Sequence, residues 1–75
     1  MGCSVYWRPF KPGRHSAGGS TLIAAIREEF GDFPIRLDAQ ALPYLRGLRA
    51  AHIDGAADLM DAIGKHGRIE LEVEC

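Results

Sequence analysis

Arg68-Ile69-Glu70-Leu71-Glu72-Val73-Glu74 alternates charged and apolar residues without a break. A period of two is the mark of a half-buried strand, with Ile69, Leu71 and Val73 turned to a core and Arg68, Glu70, Glu72 and Glu74 turned to water. A strand of this kind belongs to a sheet with one bare face, so every helix in the chain is expected on the other side. That expectation organises the reading of the 67 residues before it.

Immediately upstream, Ile53, Ala56, Ala57, Met60 and Ile63 recur at helical spacing opposite Asp54, Asp58 and Asp61. Lys65 and His66 fall in the last turn, where positive charge suits the helix dipole, and Gly67 ends the helix. Before it, Leu42, Leu45 and Leu48 form a second apolar stripe flanked by Tyr44, Arg46 and Arg49. Asp38 is placed to cap this segment, and Pro43 sits near its start. Pro34-Ile35-Arg36-Leu37-Asp38 reads as a short strand. Leu22, Ile23, Ile26 and Phe30 share one face of a helix over about Thr21–Phe30, with Ser20 or Thr21 as its cap and Gly31 as its left-handed stop. Ser4-Val5-Tyr6-Trp7-Arg8-Pro9-Phe10 is rich in β-formers, and Pro9 ends it or marks an edge.

The order β-α-β-α-α-β predicts an α/β chain of the α+β two-layer kind, one domain over residues 1–75. One helix between strands one and two makes those strands parallel, and two helices before strand three turn it antiparallel to both. The expected sheet is three-stranded and mixed, with three helices on one face. The spacing leaves open which strand is central. If strand three pairs antiparallel with strand one, Cys3 and Cys75 come to the same end; a parallel pairing would part them by roughly 20 Å. In a cytoplasmic chain both are expected as free thiols.

The 75 residues carry a net charge of −1, unevenly spread. Residues 1–27 hold four basic and no acidic side chains, and residues 50–75 hold six acidic against two basic. This balance gives no support to general nucleic-acid binding. No apolar run nears the length of a membrane span and no secretory signal opens the chain, so a soluble, cytoplasmic protein with no membrane partner is expected. His15, His52 and His66 lack metal-ligand spacing, and neither a metal nor a cofactor is expected. A chain of this length leaves little room for a preorganised pocket, and no enzymatic activity is expected.

Two clusters invite binding. In strand one Tyr6, Arg8 and Phe10 share the face opposite Val5 and Trp7, and an aromatic–arginine group on a bare sheet has the composition of a protein-binding hot spot. Arg14 extends it from the following loop, with Glu70 and Glu72 as weaker members. The expected function is that of a small interaction protein, of regulator, adaptor or inhibitor type, docking on a protein partner, with self-association as a variant. The alternative is an anion or nucleic-acid site built on Arg8, Lys11, Arg14, His15, Ser20 and Thr21, in which Gly18-Gly19 permits close approach to a helix N-terminus. That loop is expected at the C-terminal end of strand one, where open sheets commonly bind ligands.

Overall fold

The computed structural model describes residues 2–9 and 15–75. Its strands are β1 (Ser4–Arg8), β2 (His15–Ser16), β3 (Ile35–Leu37) and β4 (Ile69–Glu74); its helices are α1 (Ser20–Phe30), α2 (Leu42–Ala50) and α3 (Ala56–His66). The sheet order is β2-β1-β4-β3, and each neighbouring pair is antiparallel. The protein is a small α+β domain with three helices and a four-stranded antiparallel sheet.

This corrects the expected three-stranded mixed sheet in two respects. β1 and β3 do run in the same sense, and β4 runs against both. But β4 lies between them, so the two parallel strands never touch and no parallel ladder forms. The extra strand, β2, arises because the chain after β1 doubles back: Tyr6 pairs with Ser16 and Trp7 with His15.

The alternation in β4 partitions the molecule. Ile69 and Leu71 are buried and Val73 is half-buried, and the cross-strand neighbours of the three, Leu37, Ile35, Trp7 and Val5, line the same side. Leu22, Ile23 and Ile26 of α1, Leu45 of α2, and Leu59, Ala62 and Ile63 of α3 complete one core against that side. In α3 the buried stripe runs through Ala56, Leu59, Ala62 and Ile63, while Met60 is half-buried and Ala57 faces water. Burial of this apolar surface, at roughly 25 cal/mol per Å2, is the main force joining the two layers.

Local signals fix the helix ends. Gly31 and Gly67 take positive φ, 97° and 82°, as helix-terminating glycines do. Asp38 Oδ1 accepts a hydrogen bond of 2.9 Å from the Gln40 backbone N–H, capping a single 3-10 turn over Ala39–Ala41 that leads into α2. α2 ends in a Schellman motif: the Ile53 N–H donates to the Leu48 carbonyl and the His52 N–H to the Arg49 carbonyl, each at 3.0 Å. His52 holds the left-handed position at φ 61°, where glycine is usual. At α1 the N-cap is Gly19, with no side-chain cap bond, so neither Ser20 nor Thr21 plays the capping role expected of it.

The cysteines depart furthest from expectation. Ser4 lies opposite Glu74 in the ladder, and the next pair outward is Cys3 and Cys75. Antiparallel register brings their Cα atoms to 4.0 Å, and the two are joined in a disulfide rather than held as free thiols. The bridge spans 72 residues of sequence and ties together nearly the whole chain. Among the described residues no helix is long and apolar enough to cross a membrane.

A cross-link closing so long a loop removes about 4 kcal/mol of chain entropy from the unfolded state. Alkylation of the native protein without reductant should label neither cysteine, and Cys3→Ser should lower the denaturant stability by about that amount. Full labelling of both thiols before reduction would show the bridge to be absent.

Candidate functional site

The bare side of the sheet is built from three rows of cross-strand neighbours. Arg36, Glu70 and Arg8 form one row across β3, β4 and β1; Glu72, Tyr6 and Ser16 form the next; Glu74 and Ser4 form the third. All three helices pack on the opposite side, so these side chains face outward. Four of the six residues expected to bind a protein partner, Tyr6, Arg8, Glu70 and Glu72, are brought together here. The other two, Phe10 and Arg14, lie outside the described residues, as does Lys11.

The face is laced by ion pairs. Arg8 Nη2 donates to Glu72 Oε1 at 2.7 Å, and Arg8 Nε lies 3.7 Å from Glu70 Oε1. Arg36 Nε reaches Glu70 Oε2 at 3.4 Å. Glu70 thus sits between two guanidinium groups, one from each neighbouring strand. The Arg8 side chain is 47% exposed and that of Arg36 85%, so each pair contributes about 0–1 kcal/mol at most. These pairs order the surface and supply the cross-strand complement of a charged sheet face. They do not make it apolar or closed.

The described members of the alternative anion site, Arg8, His15, Ser20 and Thr21, are not brought together. β2 runs back along β1, so the Ala17 N–H donates to the Val5 carbonyl and the Val5 N–H to the Gly18 carbonyl. α1 therefore starts beside Cys3, at the N-terminal end of β1, and not at its C-terminal end. Ser20 and Thr21 are thereby separated from Arg8 by about 16 Å of strand. His15 leaves the set as well. Its ring stacks on Trp7 with centroids 4.4 Å apart and planes 23° apart, on the side of the sheet opposite Arg8. His66, at the end of α3, approaches the same indole at 5.6 Å. Among the described residues no group of three or more histidine, cysteine or acidic side chains is placed to hold a metal.

The close approach that Gly18 permits is to protein rather than to an anion. A Cβ on Gly18 would lie 2.6 Å from the Asp54 carbonyl oxygen and 2.8 Å from the Leu22 side chain. A Cβ on Gly55, at φ 93°, would lie 2.8 Å from the Ala17 carbonyl oxygen. The two glycines let the connection into α1 and the connection into α3 cross backbone against backbone.

Tyr44, the one tyrosine outside strand one, belongs to the helix layer. Its hydroxyl donates to the Ala25 carbonyl at 2.8 Å and its ring packs edge-on against Phe30. Burial, and then the nearby Glu29 and Glu28 carboxylates, raise its phenol above the ordinary pKa of 10.0. Two arginines absent from the expected binding set belong beside it: Arg36, in the first row, and Arg68, which shares the parity of Glu70. The alternation Ile35-Arg36-Leu37 and the parity of Arg68 in the opening heptapeptide carried that signal.

Comparison with protein-family models, with curated proteins and with solved structures gives no match for this chain.

If Gly18 serves the crossing of the two connections, Gly18→Ala should destabilise the fold by about 1–3 kcal/mol, the range for overpacking a tight site. Gly19→Ala, whose Cβ would meet only the Cys3 carbonyl at 3.6 Å, should cost clearly less. Thermal denaturation of the two variants measures this, and equal stabilities would contradict it.

Proposed function

We propose that this protein is a non-enzymatic interaction module that docks on a protein partner through the bare face of its sheet. The observation that carries the reading is the convergence of Tyr6, Arg8, Glu70 and Glu72 on one helix-free surface. Arginine and tyrosine are among the residues most enriched in interface hot spots, and a rigid sheet fixes their backbone before binding. Recognition of this kind needs shape and charge on a firm support. It needs no enclosed cavity and no activated nucleophile.

Regulators, adaptors and small inhibitors share this economy, and the reading is of that type. The mixed signs on the face favour a partner whose surface carries both charges in the complementary order, which selects orientation and raises the association rate. The Cys3–Cys75 bridge favours an oxidising compartment over the expected cytoplasm as the place where docking occurs.

The test is affinity capture from the native source with wild-type protein and with Tyr6→Ala combined with Arg8→Glu. Circular dichroism checks that the double variant is folded. A partner held by the wild type and released by the variant supports the reading. A partner held equally by both overturns the choice of face. No captured partner, with a stable dimer by light scattering, would replace the foreign partner by a second copy of the chain.

A further inference from the structure

At one end of the bare face lies a cleft of about 590 Å3, lined by Arg8, Pro9, Arg36, Arg68, Ile69 and Glu70. Among the described residues three guanidinium groups and one carboxylate border it, and with Glu72 paired to Arg8 the balance is still positive in a molecule whose net charge is −1. We infer that this cleft receives an acidic segment of the protein partner, presenting two or more carboxylates to Arg8, Arg36 and Arg68. The inference rests on the docking reading and names the chemistry of the partner at that face.

Glu70 shows which anion the arginines accept. Its two carboxylate oxygens already divide between Arg8 and Arg36, but through Nε atoms at 3.7 and 3.4 Å, longer than a strong charge-assisted bond. Glu70 thus holds both side chains in place without saturating Arg36, while Arg8 also donates through Nη2 to Glu72 Oε1 at 2.7 Å. Incoming carboxylates extend the row of alternating charge from the outer side, where the Arg36 side chain is 85% exposed. The planar guanidinium fork matches a carboxylate in bidentate fashion, and three forks suit a segment with more than one acid.

The shape of the cleft argues for a segment of a protein over a free small molecule. Small-ligand sites bury most of their ligand, and the described residues lining this cleft all belong to the sheet strands or lie directly beside them. A group tethered to a larger partner gains the remaining contact area from the rest of the face. A long polyanion such as a nucleic acid fits poorly, because its path along β4 would run over Glu72 and Glu74. A short acidic stretch avoids both.

Arginine Nε–H signals in an NMR titration read the site directly, with a capped hexaglutamate peptide as probe and capped hexaglutamine as control. The Arg8, Arg36 and Arg68 signals should shift saturably with hexaglutamate, stay still with hexaglutamine, and lose the effect as salt rises. Arg36→Gln with Arg68→Gln should weaken binding about tenfold or more. Glu70→Gln should tighten it several-fold, which a purely structural ion pair would not do. Shifts spread equally over Arg27, Arg46 and Arg49 would overturn the site, and inorganic phosphate bound as tightly as the peptide would overturn the carboxylate assignment. If a captured partner is released by the Tyr6/Arg8 variant yet hexaglutamate fails to compete for it, docking stands and the acidic segment falls.

Discussion

The pairing of β4 on both sides is the constraint from which the rest of the molecule follows. Because Ile69–Glu74 is held antiparallel by β1 and, over its first half, by β3, its period of two is imposed on the whole sheet. A slip of one residue would turn Glu70 and Glu72 into the core and Leu71 out to water, so the register has a steep energetic preference. That register also sets Cys3 against Cys75 and Glu70 between Arg8 and Arg36. Covalent closure, ion-pair rows and the apolar platform for the three helices are consequences of one alignment.

The same alignment separates two regions that lie close together in sequence. Arg8 stands at one end of β1, while the start of α1 stands at the other, beside Cys3, because β2 carries the chain back. The connection into α1 is held by its crossing with the Asp54-Gly55 connection, through glycines that leave no room for a side chain. Among the described residues Arg8 and Arg36 are therefore displayed on the bare face, away from the start of α1. This is why we place recognition on the sheet.

Much of this was legible beforehand where one period dominated. The unbroken alternation of residues 68–74, the stripe Leu22-Ile23-Ile26 and the glycines at 31 and 67 announced β4 and the ends of α1 and α3. The bare face and the outward parity of Tyr6, Arg8, Glu70 and Glu72 followed from the same arithmetic. Strand order did not, because relative direction restricts neighbours without choosing them. β2 is two residues long, and His15-Ser16 has neither periodicity nor strong strand preference. The disulfide depended on strand order, since only β1 beside β4 brings positions 3 and 75 together. The role of Gly18 lay in its close approach to Asp54, 36 positions away, which no local pattern encodes. Arg36 and Arg68 were visible by parity but entered the site only once β3 and β4 were adjacent.

Native-state hydrogen exchange measures the central claim directly. With β4 inside the sheet, the amides of Ile69–Leu71 should exchange only by global opening, and those on the outer edge of β3 should exchange much faster. Rapid exchange at Glu70, or at both Ile69 and Leu71, would make β4 an edge strand and contradict the account.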